Sequence, residues 1–520
     1  MASGSDPASA IDLLAASARN HPGALALVTG GRTWSYADLW EGASAAAAGL
    51  RRKGVGIGDP VVIAMANGAE FFLAFFGTLI AGGIAVPVFP RVPAARLRSI
   101  AELAGARVIV TAETFDELAG AGRLESAPPD PERPCYIQYT SGSTRDPRGV
   151  VVTHANLLAN IAQMIEAMSI TADDVFVSWL PTYHDMGLTL MALTPFSLGT
   201  HLVLLPTDLR DVGGWLAAIE THHATFTAGP DFAYRLCLRY IPEPQRFRLS
   251  SLRVAMNASE PVRPSTVSRF ESAFGLRHVM MSGYGLAEAT LSVTCTPRGE
   301  PIDVDARGLA CLGFPMRGTK VAASDGKRLL AQGEVGELVV SGPAVTSGYH
   351  RNARATADLF LADGERRYMR TGDLGYLDDA GRLFFVSRQK DLIKVGGRSL
   401  YPQEVESVAD ETPGVRLAAA VGIDTGGVAG EQLLVFAEVR EPQHRSDHEL
   451  RRISIGITEA LHETLGVRPR ATLLLRPGRI PLTANGKVQR GRLRDRYATG
   501  LLKPGGDVVF PPRRSPAARG

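Results

Sequence analysis

The chain has 520 residues, 45% of them hydrophobic, and a formal net charge of +3. This length and composition supply enough apolar side chains for large cores and predict about three structural units. The near balance of charge argues against a nucleic-acid-binding protein, because such proteins concentrate Lys and Arg on one surface.

No part of the sequence predicts export or a membrane span. The N-terminus lacks a basic stretch followed by an apolar core, which a signal peptide needs. The uncharged segment 71–90 is long enough to cross a bilayer, but Gly82-Gly83 divides it into an aromatic-rich half and a β-branched half. We therefore expect a buried helix, a turn and a buried strand there. The four cysteines form no C-x-x-C pair, so we expect a reduced, cytoplasmic protein.

Most of the first 380 residues alternate helical and strand patterns. They begin with a helix over 10–22, a hairpin over 24–36 and an Ala-rich helix that starts after Ser35, with Asp38 placed to complete its cap. This alternation predicts an α/β fold in which helices cover both faces of mostly parallel sheets. Apolar runs typical of buried strands follow at 60–66, 106–112, 201–206, 224–229 and 251–259.

Beyond residue 300 the pattern becomes β-rich, and from about residue 390 it predicts a small α+β unit. The polar string Ser387-Arg388-Gln389-Lys390 indicates the boundary. We expect an N-terminal domain over 1–387, a C-terminal domain over 388–502 and a disordered tail over 503–520, where basic residues and prolines dominate.

Ligands of α/β sheets bind at loops beyond the carboxyl ends of the strands. One candidate loop, "YTSGSTRDPRGV" at residues 139–150, is rich in glycine and hydroxyl side chains but fits neither a P-loop nor a dinucleotide fingerprint. Its amides and hydroxyls can surround phosphate oxygens, although a polar hairpin explains the same composition. The donors in the phosphate interpretation are Thr140, Ser141, Gly142, Ser143 and Thr144.

Further loops contain side chains suited to nucleotide chemistry. His184 and Asp185 follow an apolar strand, and Glu288 follows a glycine turn where a carboxylate can hold Mg²⁺ near phosphates. Asp373 stands in a tight loop, where it can chelate ribose hydroxyls or stabilise its own turn. Lys487 on a glycine turn near the chain end can be a catalytic cation or an exposed loop lysine.

Five motifs occur in the order and spacing of adenylate-forming enzymes, the superfamily of acyl-CoA ligases, non-ribosomal adenylation domains and luciferases. They lie at 140–150, 284–289, 370–373, 388–397 and 485–487, and the resemblance runs from about residue 10 to residue 500. The stretches "SWLPTYHDMGL", "NASEPVRPST", "YGLAEATL" and "GGRSLYPQEVE" resemble the fatty acyl-AMP ligase branch. Arg148 points to the same branch, because it stands where most acyl-CoA ligases carry lysine.

The resemblance implies that a carboxylate attacks the α-phosphate of ATP, giving acyl-AMP and pyrophosphate, and that the acyl group then passes to a phosphopantetheine thiol. ATP and Mg²⁺ are the implied cofactors, with coenzyme A or phosphopantetheine on a carrier protein as the acceptor. The implied substrate is a lipophilic carboxylic acid, used in lipid or natural-product biosynthesis. Because the barrier is repulsion between anions, cations and amide donors are expected to dominate catalysis.

The resemblance also implies roles for matching residues. Residues 140–144 with Arg148 would hold the β- and γ-phosphates, Glu288 would bind Mg²⁺, and Lys487 would bridge the carboxylate and the α-phosphate. His184 would lie between the acyl pocket and the path of the incoming thiol. The remaining assignments are Ser259, Glu260, Pro261, Gly283, Tyr284 and Gly285 at the adenine, Asp373 and Arg388 at the ribose, and Met191, Phe232 and Tyr234 in the acyl pocket.

The family closes its small C-terminal domain in two orientations, which implies that the C-terminal domain of this chain is mobile. Lys390 matches the hinge position. One orientation would bring Lys487 to the adenylate, and the other would bring the 394–402 loop forward for thioester formation.

One departure from the branch concerns the acceptor. Fatty acyl-AMP ligases usually carry an inserted segment before the Arg-Thr-Gly-Asp motif, but only twenty residues separate Tyr349 from Arg370 here. This short connection is similar to ordinary acyl-CoA ligases, so coenzyme A, a carrier protein and a separate acyltransferase all stay open as acceptors. A nucleotide-binding pseudoenzyme and a luciferase-like oxygenase are the alternative functions, and the oligomeric state stays open.

Overall fold

The computed structural model describes residues 7–118, 122, 124, 129–139, 147–207, 211–395, 398–424, 431–482, 488–502 and 506–511. The chain divides into two compact units. The first comprises Met1–Thr371 and Tyr376–Phe385, and the second comprises Gly372–Gly375 and Val386–Gly520. The short segment Gly372–Gly375 therefore belongs to the second unit, although it precedes the predicted boundary.

Helices and strands alternate along most of the first unit. The α-helices are α1 (Asp12–Asn20), α2 (Tyr36–Arg52), α3 (Ala69–Ile80), α4 (Ala94–Ala104), α5 (His154–Met168), α6 (Thr194–Leu198), α7 (Val212–Thr221), α8 (Asp231–Tyr240), α9 (Pro264–Ala273), α10 (Ala353–Asp358), α11 (Pro402–Glu411), α12 (Asp447–Leu465) and α13 (Arg490–Ala498). A π-helix covers Met186–Leu193, and 3₁₀ turns cover Phe115–Leu118, Pro244–Arg246, Ala287–Ala289, Gln389–Asp391 and Pro442–His444.

The strands are β1 (Leu25–Thr29), β2 (Arg32–Ser35), β3 (Pro60–Ala64), β4 (Ile84–Pro87), β5 (Val108–Thr111), β6 (Pro134–Tyr139), β7 (Gly149–Thr153), β8 (Phe176–Ser178), β9 (Leu202–Leu204), β10 (Phe226–Gly229), β11 (Val254–Asn257), β12 (Met280–Gly285), β13 (Ser292–Cys295), β14 (Phe314–Pro315), β15 (Lys320–Ser324), β16 (Gly336–Ser341), β17 (Phe360–Asp363), β18 (Arg366–Leu377), β19 (Leu383–Arg388), β20 (Ile393–Val395), β21 (Arg398–Leu400), β22 (Val415–Asp424), β23 (Glu431–Val439), β24 (Ala471–Leu475) and β25 (Val508–Phe510).

Two mostly parallel sheets form the centre of the first unit. One has the strand order β14-β13-β12-β11-β10-β8-β9-β1-β2, in which β1 and β8 to β12 run parallel. The other has the order β5-β3-β4-β6-β7, and only its β6–β7 hairpin is antiparallel. The predicted α/β class is therefore confirmed. The β-rich stretch after residue 300 forms a further sheet of order β15-β16-β18-β17, with β19 beside β18.

The apolar segment 71–90 is a buried helix, a turn and a buried strand, as predicted. Helix α3 ends at Ile80, Gly82 turns the chain with φ +79°, and all four residues of β4 are buried. The phenylalanines of α3 are fully buried, and each buried ring of this kind contributes about 1.5–3 kcal/mol to folding. Within the described ranges, no helix combines the length and the apolarity that a membrane crossing needs.

The predicted cap of α2 is also confirmed. The Asp38 amide donates to Ser35 Oγ (3.1 Å), and the Ser35 amide donates to Asp38 Oδ2 (2.8 Å). This reciprocal pair satisfies amides that the first helical turn would otherwise leave without partners.

The second unit is α+β, as predicted, with a sheet of order β22-β23-β24-β25 and helices α11 to α13. The expectation of a disordered tail is wrong for residues 506–511. Strand β25 pairs with β24, Val508 is fully buried, and Asp507 forms ion pairs with Arg479 (3.1 Å) and Arg496 (2.9 Å). The apolar triplet Val508–Phe510 was hidden by the prolines and basic residues around it.

Candidate active site

The loops that follow the parallel strands share one edge of the first sheet. Strands β8, β10, β11 and β12 run in the same direction, so their carboxyl ends meet at this edge, where α/β sheets bind ligands. The segments that continue from these four ends contain 179–187, 230–232, 258–261 and 286–289.

Tyr349 connects two side chains that the sequence predicts to serve the nucleotide phosphates. Its hydroxyl donates a 2.8 Å hydrogen bond to Glu288 Oε1. The guanidinium carbon of Arg148 lies 5.3 Å from the centre of its ring. Burial and the Glu288 carboxylate raise the pKa of the Tyr349 hydroxyl, so it stays protonated and able to donate. Sequence analysis missed Tyr349, because a lone tyrosine in a connecting segment resembles a core residue.

The turn that carries His184 is held by backbone contacts and by its neighbour. His184 Nδ1 lies 2.6 Å from Asp185 Oδ1, and the His184 side chain is 28% exposed. Asp185 Oδ1 also accepts from the Met186 amide at 2.8 Å, where the π-helix begins. A Cβ on Gly187 would lie 2.1 Å from the Pro181 carbonyl oxygen, so only glycine fits this turn. The π-helix was not predicted.

The predicted adenine loop after β11 is tied to the start of α8. Glu260 accepts a hydrogen bond from the Phe232 amide, and Ser259, with φ +72°, directs its hydroxyl to Met186 Sδ at 3.6 Å. Burial, together with the nearby Asp231 carboxylate, raises the pKa of Glu260 to about 7. Pro261 follows Glu260 and is exposed.

Beneath this loop, the buried carboxylate of Asp231 joins three elements, a role that sequence analysis missed. It is 1% exposed. Its oxygens accept from Asn257 Nδ2 (3.1 Å), the Arg263 amide (3.2 Å) and Thr266 Oγ1 (3.1 Å), and they pair with Arg235 Nε (3.0 Å). Asp231 therefore fixes the ends of β11, α8 and α9 relative to each other.

The other predicted adenine residues form the end of β12. The ring of Tyr284 stacks on Phe385 with centroids 6.3 Å apart. A Cβ on Gly285 would lie 1.8 Å from the Leu291 carbonyl oxygen, which excludes any larger residue. Gly283 precedes them in the same strand, and the 3₁₀ turn with Glu288 follows.

The predicted acyl-pocket residues differ in exposure. Met191 and Tyr234 are fully buried, and the Tyr234 hydroxyl donates to the Met256 carbonyl at 2.8 Å. Phe232 is half-buried, and its ring lies 6.3 Å from that of Trp179. The buried Nε1 of Trp179 has no hydrogen-bond partner among the described residues. Trp179 was not predicted as a site residue, because an aromatic residue directly after an apolar strand resembles a core residue.

In the second unit, Asp373 is 4% exposed and its Oδ1 lies 3.3 Å from Arg388 Nε. Lys390 follows in the 3₁₀ turn Gln389–Asp391, and burial together with Arg388 lowers its pKa. Asp373 and Arg388, the predicted ribose residues, and Lys390, the predicted hinge, therefore lie close together within the second unit.

The phosphate-loop residues 140–144 and Lys487 lie outside the described residues. Among the residues that are described, no cluster of three or more His, Cys, Asp or Glu side chains could hold a metal alone.

The sequence profile of the AMP-binding enzyme family matches residues 14–350. The chain belongs to this family. The matched range of this AMP-binding enzyme includes Arg148, His184, Glu260, Glu288 and Tyr349, whereas Asp373, Lys390 and Lys487 lie beyond it.

Three proteins similar to this AMP-binding enzyme are ligases of fatty acids or fatty acyl groups, according to their names. The chain is 32% identical to a medium-chain-fatty-acid acyl-carrier-protein ligase of Moorena producens, with 90% of each chain covered. It is 30% identical to a long-chain-fatty-acid–AMP ligase of Mycobacterium marinum, with 85% of this chain and 87% of that one covered. A solved fatty acyl-adenylate ligase, from work on the enzymes of E. coli and L. pneumophila, superimposes with a TM-score of 0.84 at 27% identity, covering 95% of this chain and 98% of that one.

Proposed function

We propose that this AMP-binding enzyme uses ATP to activate a lipophilic carboxylic acid as acyl-AMP and then transfers the acyl group to a phosphopantetheine thiol. The family match over residues 14–350 carries the proposal. The fatty-acid ligases among its relatives support the substrate class. Medium- and long-chain fatty acids are therefore the first substrates to test. The proposed role of the enzyme is in lipid or natural-product biosynthesis.

The adenylation step joins two anions. A carboxylate oxygen forms a bond to the α-phosphorus of ATP while the bond from that phosphorus to the bridging oxygen breaks, and pyrophosphate leaves. Positioning and neutralisation of charge dominate such a reaction. In this proposal Lys487 bridges the carboxylate and the α-phosphate, and Arg148 with residues 140–144 stabilises the charge on the leaving pyrophosphate.

Glu288 suits a role in Mg²⁺ binding. This ion is commonly held by one or two carboxylates together with substrate phosphates, so a dedicated cluster of acidic residues is not needed. When bound, Mg²⁺ supplies positive charge that offsets the charge of the phosphates. The hydrogen bond from Tyr349 orients the carboxylate that would hold it.

The remaining contacts orient the nucleoside and the acid. Asp373, beside Arg388, is proposed to hold the ribose hydroxyls. The loop with Glu260 and the end of β12 are proposed to line the adenine site, and Phe232 is proposed to face the acyl chain. His184 is proposed to stand beside the path of the incoming thiol.

A carrier protein is the proposed acceptor, supported by the acyl-carrier-protein ligase among the relatives. Coenzyme A is the second candidate. The short connection between Tyr349 and Arg370, which contains α10, β17 and the start of β18, favours it. Because all four cysteines are free and buried, a reducing compartment such as the cytoplasm suits the enzyme.

Exchange of labelled pyrophosphate into ATP tests the proposal. We expect exchange that depends on an added fatty acid and that Lys487→Ala abolishes. Absence of exchange with acids of every chain length, in a preparation shown to be folded, would contradict an adenylating function and favour a nucleotide-binding pseudoenzyme.

A further inference from the structure

We propose that Tyr349 is a positioning residue that sets both the metal-binding carboxylate of Glu288 and the phosphate-binding guanidinium of Arg148. The inference rests on the proposed function, because it concerns how the nucleotide phosphates and their metal ion are held. It assigns a task to a residue that no motif identified.

The contact with Glu288 uses the tyrosine hydroxyl. This hydroxyl donates to Glu288 Oε1 at 2.8 Å, and the Tyr349 residue is 8% exposed. A buried hydrogen bond to a carboxylate is short and directional. It therefore restricts rotation about the side-chain bonds of Glu288. Hydrogen bonds to metal-ligating side chains commonly orient them in this way.

Arg148 contacts both the hydroxyl and the ring of Tyr349, because a hydrogen bond from its side chain lowers the pKa of that hydroxyl. The Arg148 guanidinium carbon lies 5.3 Å from the ring centre, within the range of a cation–π interaction. A planar guanidinium stacks on an aromatic face, whereas the compact ammonium of lysine does so less readily. The ring thus explains why an arginine is well suited to this position of the phosphate loop.

The backbone around Tyr349 holds both partners in register. The His350 amide donates to the Gly149 carbonyl (2.7 Å), and the Val151 amide donates to the Gly348 carbonyl (3.1 Å), which ties the segment to β7 directly after Arg148. The Thr346 amide donates to the Glu288 carbonyl at 2.8 Å. One segment, 346–350, is therefore bonded to the elements that carry the anion and the cation.

Two substitutions separate the contacts of the hydroxyl from the contact of the ring. Tyr349→Phe removes the hydroxyl and keeps the ring. The affinity for Mg²⁺–ATP should therefore fall about tenfold, and the Mg²⁺ concentration needed for half-maximal pyrophosphate exchange should rise about tenfold. Binding of ATP in EDTA should weaken by about threefold at most, because Arg148 loses its hydrogen bond to the hydroxyl but keeps its ring contact. Tyr349→Leu removes the ring as well, so metal-free ATP binding should weaken by about a further threefold.

The matched control is Tyr376→Phe. The Tyr376 hydroxyl also donates to a carboxylate, Asp305 Oδ2 at 2.5 Å, in the same unit. We expect this variant to bind Mg²⁺–ATP as the wild type does. Calorimetric titration with ATP, with and without Mg²⁺, and a thermal melt of each full-length variant supply the measurements.

The results distinguish the inference from the proposed function. A wild type that binds Mg²⁺–ATP, with Tyr349→Phe binding it equally well, would overturn the role of Tyr349 alone. A loss in Tyr376→Phe as large as that in Tyr349→Phe would overturn it too, because the effect would then not be specific to the site. A folded wild type with no affinity for Mg²⁺–ATP would overturn the proposed function and this inference together.

Discussion

The raised pKa of the Glu260 carboxyl group makes the stability of the protein depend measurably on pH. This pKa is about 7 in the folded protein and near the ordinary 4.5 when unfolded. Between these values the folded state binds more protons than the unfolded state, so stability falls as the pH rises through this window and levels off above it. We predict that the melting temperature of the wild type falls relative to Glu260→Gln as the pH rises from about 5 to about 7.5.

The comparison with Glu260→Gln removes the titration of other groups, because they are common to both proteins. The charges that face Glu260 are Asp231, Arg235 and Arg263. A difference in melting temperature that is constant over this pH range would contradict the raised pKa.

Arg148 and Lys487 are cations with different predicted importance. Loss of Arg148 leaves amide and hydroxyl donors in the phosphate loop, so Arg148→Ala should lower kcat/KM for ATP only about tenfold. Lys487→Ala should lower the adenylation rate about 100- to 1000-fold or more while ATP still binds, since it removes a cation at the reacting phosphate. Pyrophosphate exchange and ATP titration measure both effects. Equal losses would identify Arg148 as a catalytic cation as well.

At the residue scale, the sequence was informative where a residue belongs to a motif. Arg148 and Glu288 were singled out by their motifs, and both contact Tyr349. The hydrogen bond between Tyr349 and Glu288 spans 61 positions of the chain. Such a contact has no local pattern, because it depends on how the 346–350 segment pairs with β7 and with the 3₁₀ turn at 287–289.

At the element scale, the π-helix Met186–Leu193 and the turn before it form a tightly packed unit beside the site. A methyl group on Gly187 would collide with the Pro181 carbonyl oxygen. We predict that Gly187→Ala lowers the free energy of unfolding by about 1–3 kcal/mol and reduces adenylation, because the turn that carries His184 must move.

Gly491→Ala is the control for this substitution, since a Cβ there meets no atom within 4 Å and the residue lies within α13. It should not destabilise the protein, because alanine favours a helix more than glycine does. Chemical denaturation measures both changes. Similar stability of the two variants would show that the turn relaxes around the methyl group.

Strands and helices with strong apolar patterns were predictable as elements, whereas the π-helix was not. The runs at 60–66, 224–229 and 251–259 contain β3, β10 and β11, because buried parallel strands are continuously apolar. The π-helix is buried along its whole length, so its side chains show no polar face from which a helical period could be read. Strand β25 was missed for the opposite reason, because three apolar residues are too few to outweigh their surroundings.

At the scale of the whole molecule, the two compact units have separate hydrophobic clusters. We propose that they change orientation between adenylation and thioester formation, with Lys390 as the hinge. Lys390→Pro fixes φ at this position near about −65°. It should impair one of the two half-reactions at least about tenfold more than the other, because a single orientation is then favoured.

Lys390→Ala is the control for the hinge, because it removes the side chain and keeps the backbone free. Pyrophosphate exchange reports adenylation, and mass spectrometry of the acylated carrier protein or coenzyme A reports the transfer. Equal impairment of both half-reactions in Lys390→Pro, or the same pattern in Lys390→Ala, would argue against a hinge at this residue.

Direct detection of acyl-AMP shows whether this enzyme adenylates a carboxylic acid. The folded protein is incubated with ATP, Mg²⁺ and a panel of medium- and long-chain fatty acids without any thiol, and the products are analysed by mass spectrometry. We expect acyl-AMP and pyrophosphate with at least one acid, and consumption of the acyl-AMP when coenzyme A or a phosphopantetheinylated carrier protein is added. Formation of ADP and phosphate instead, or no acid-dependent nucleotide product, would contradict this expectation.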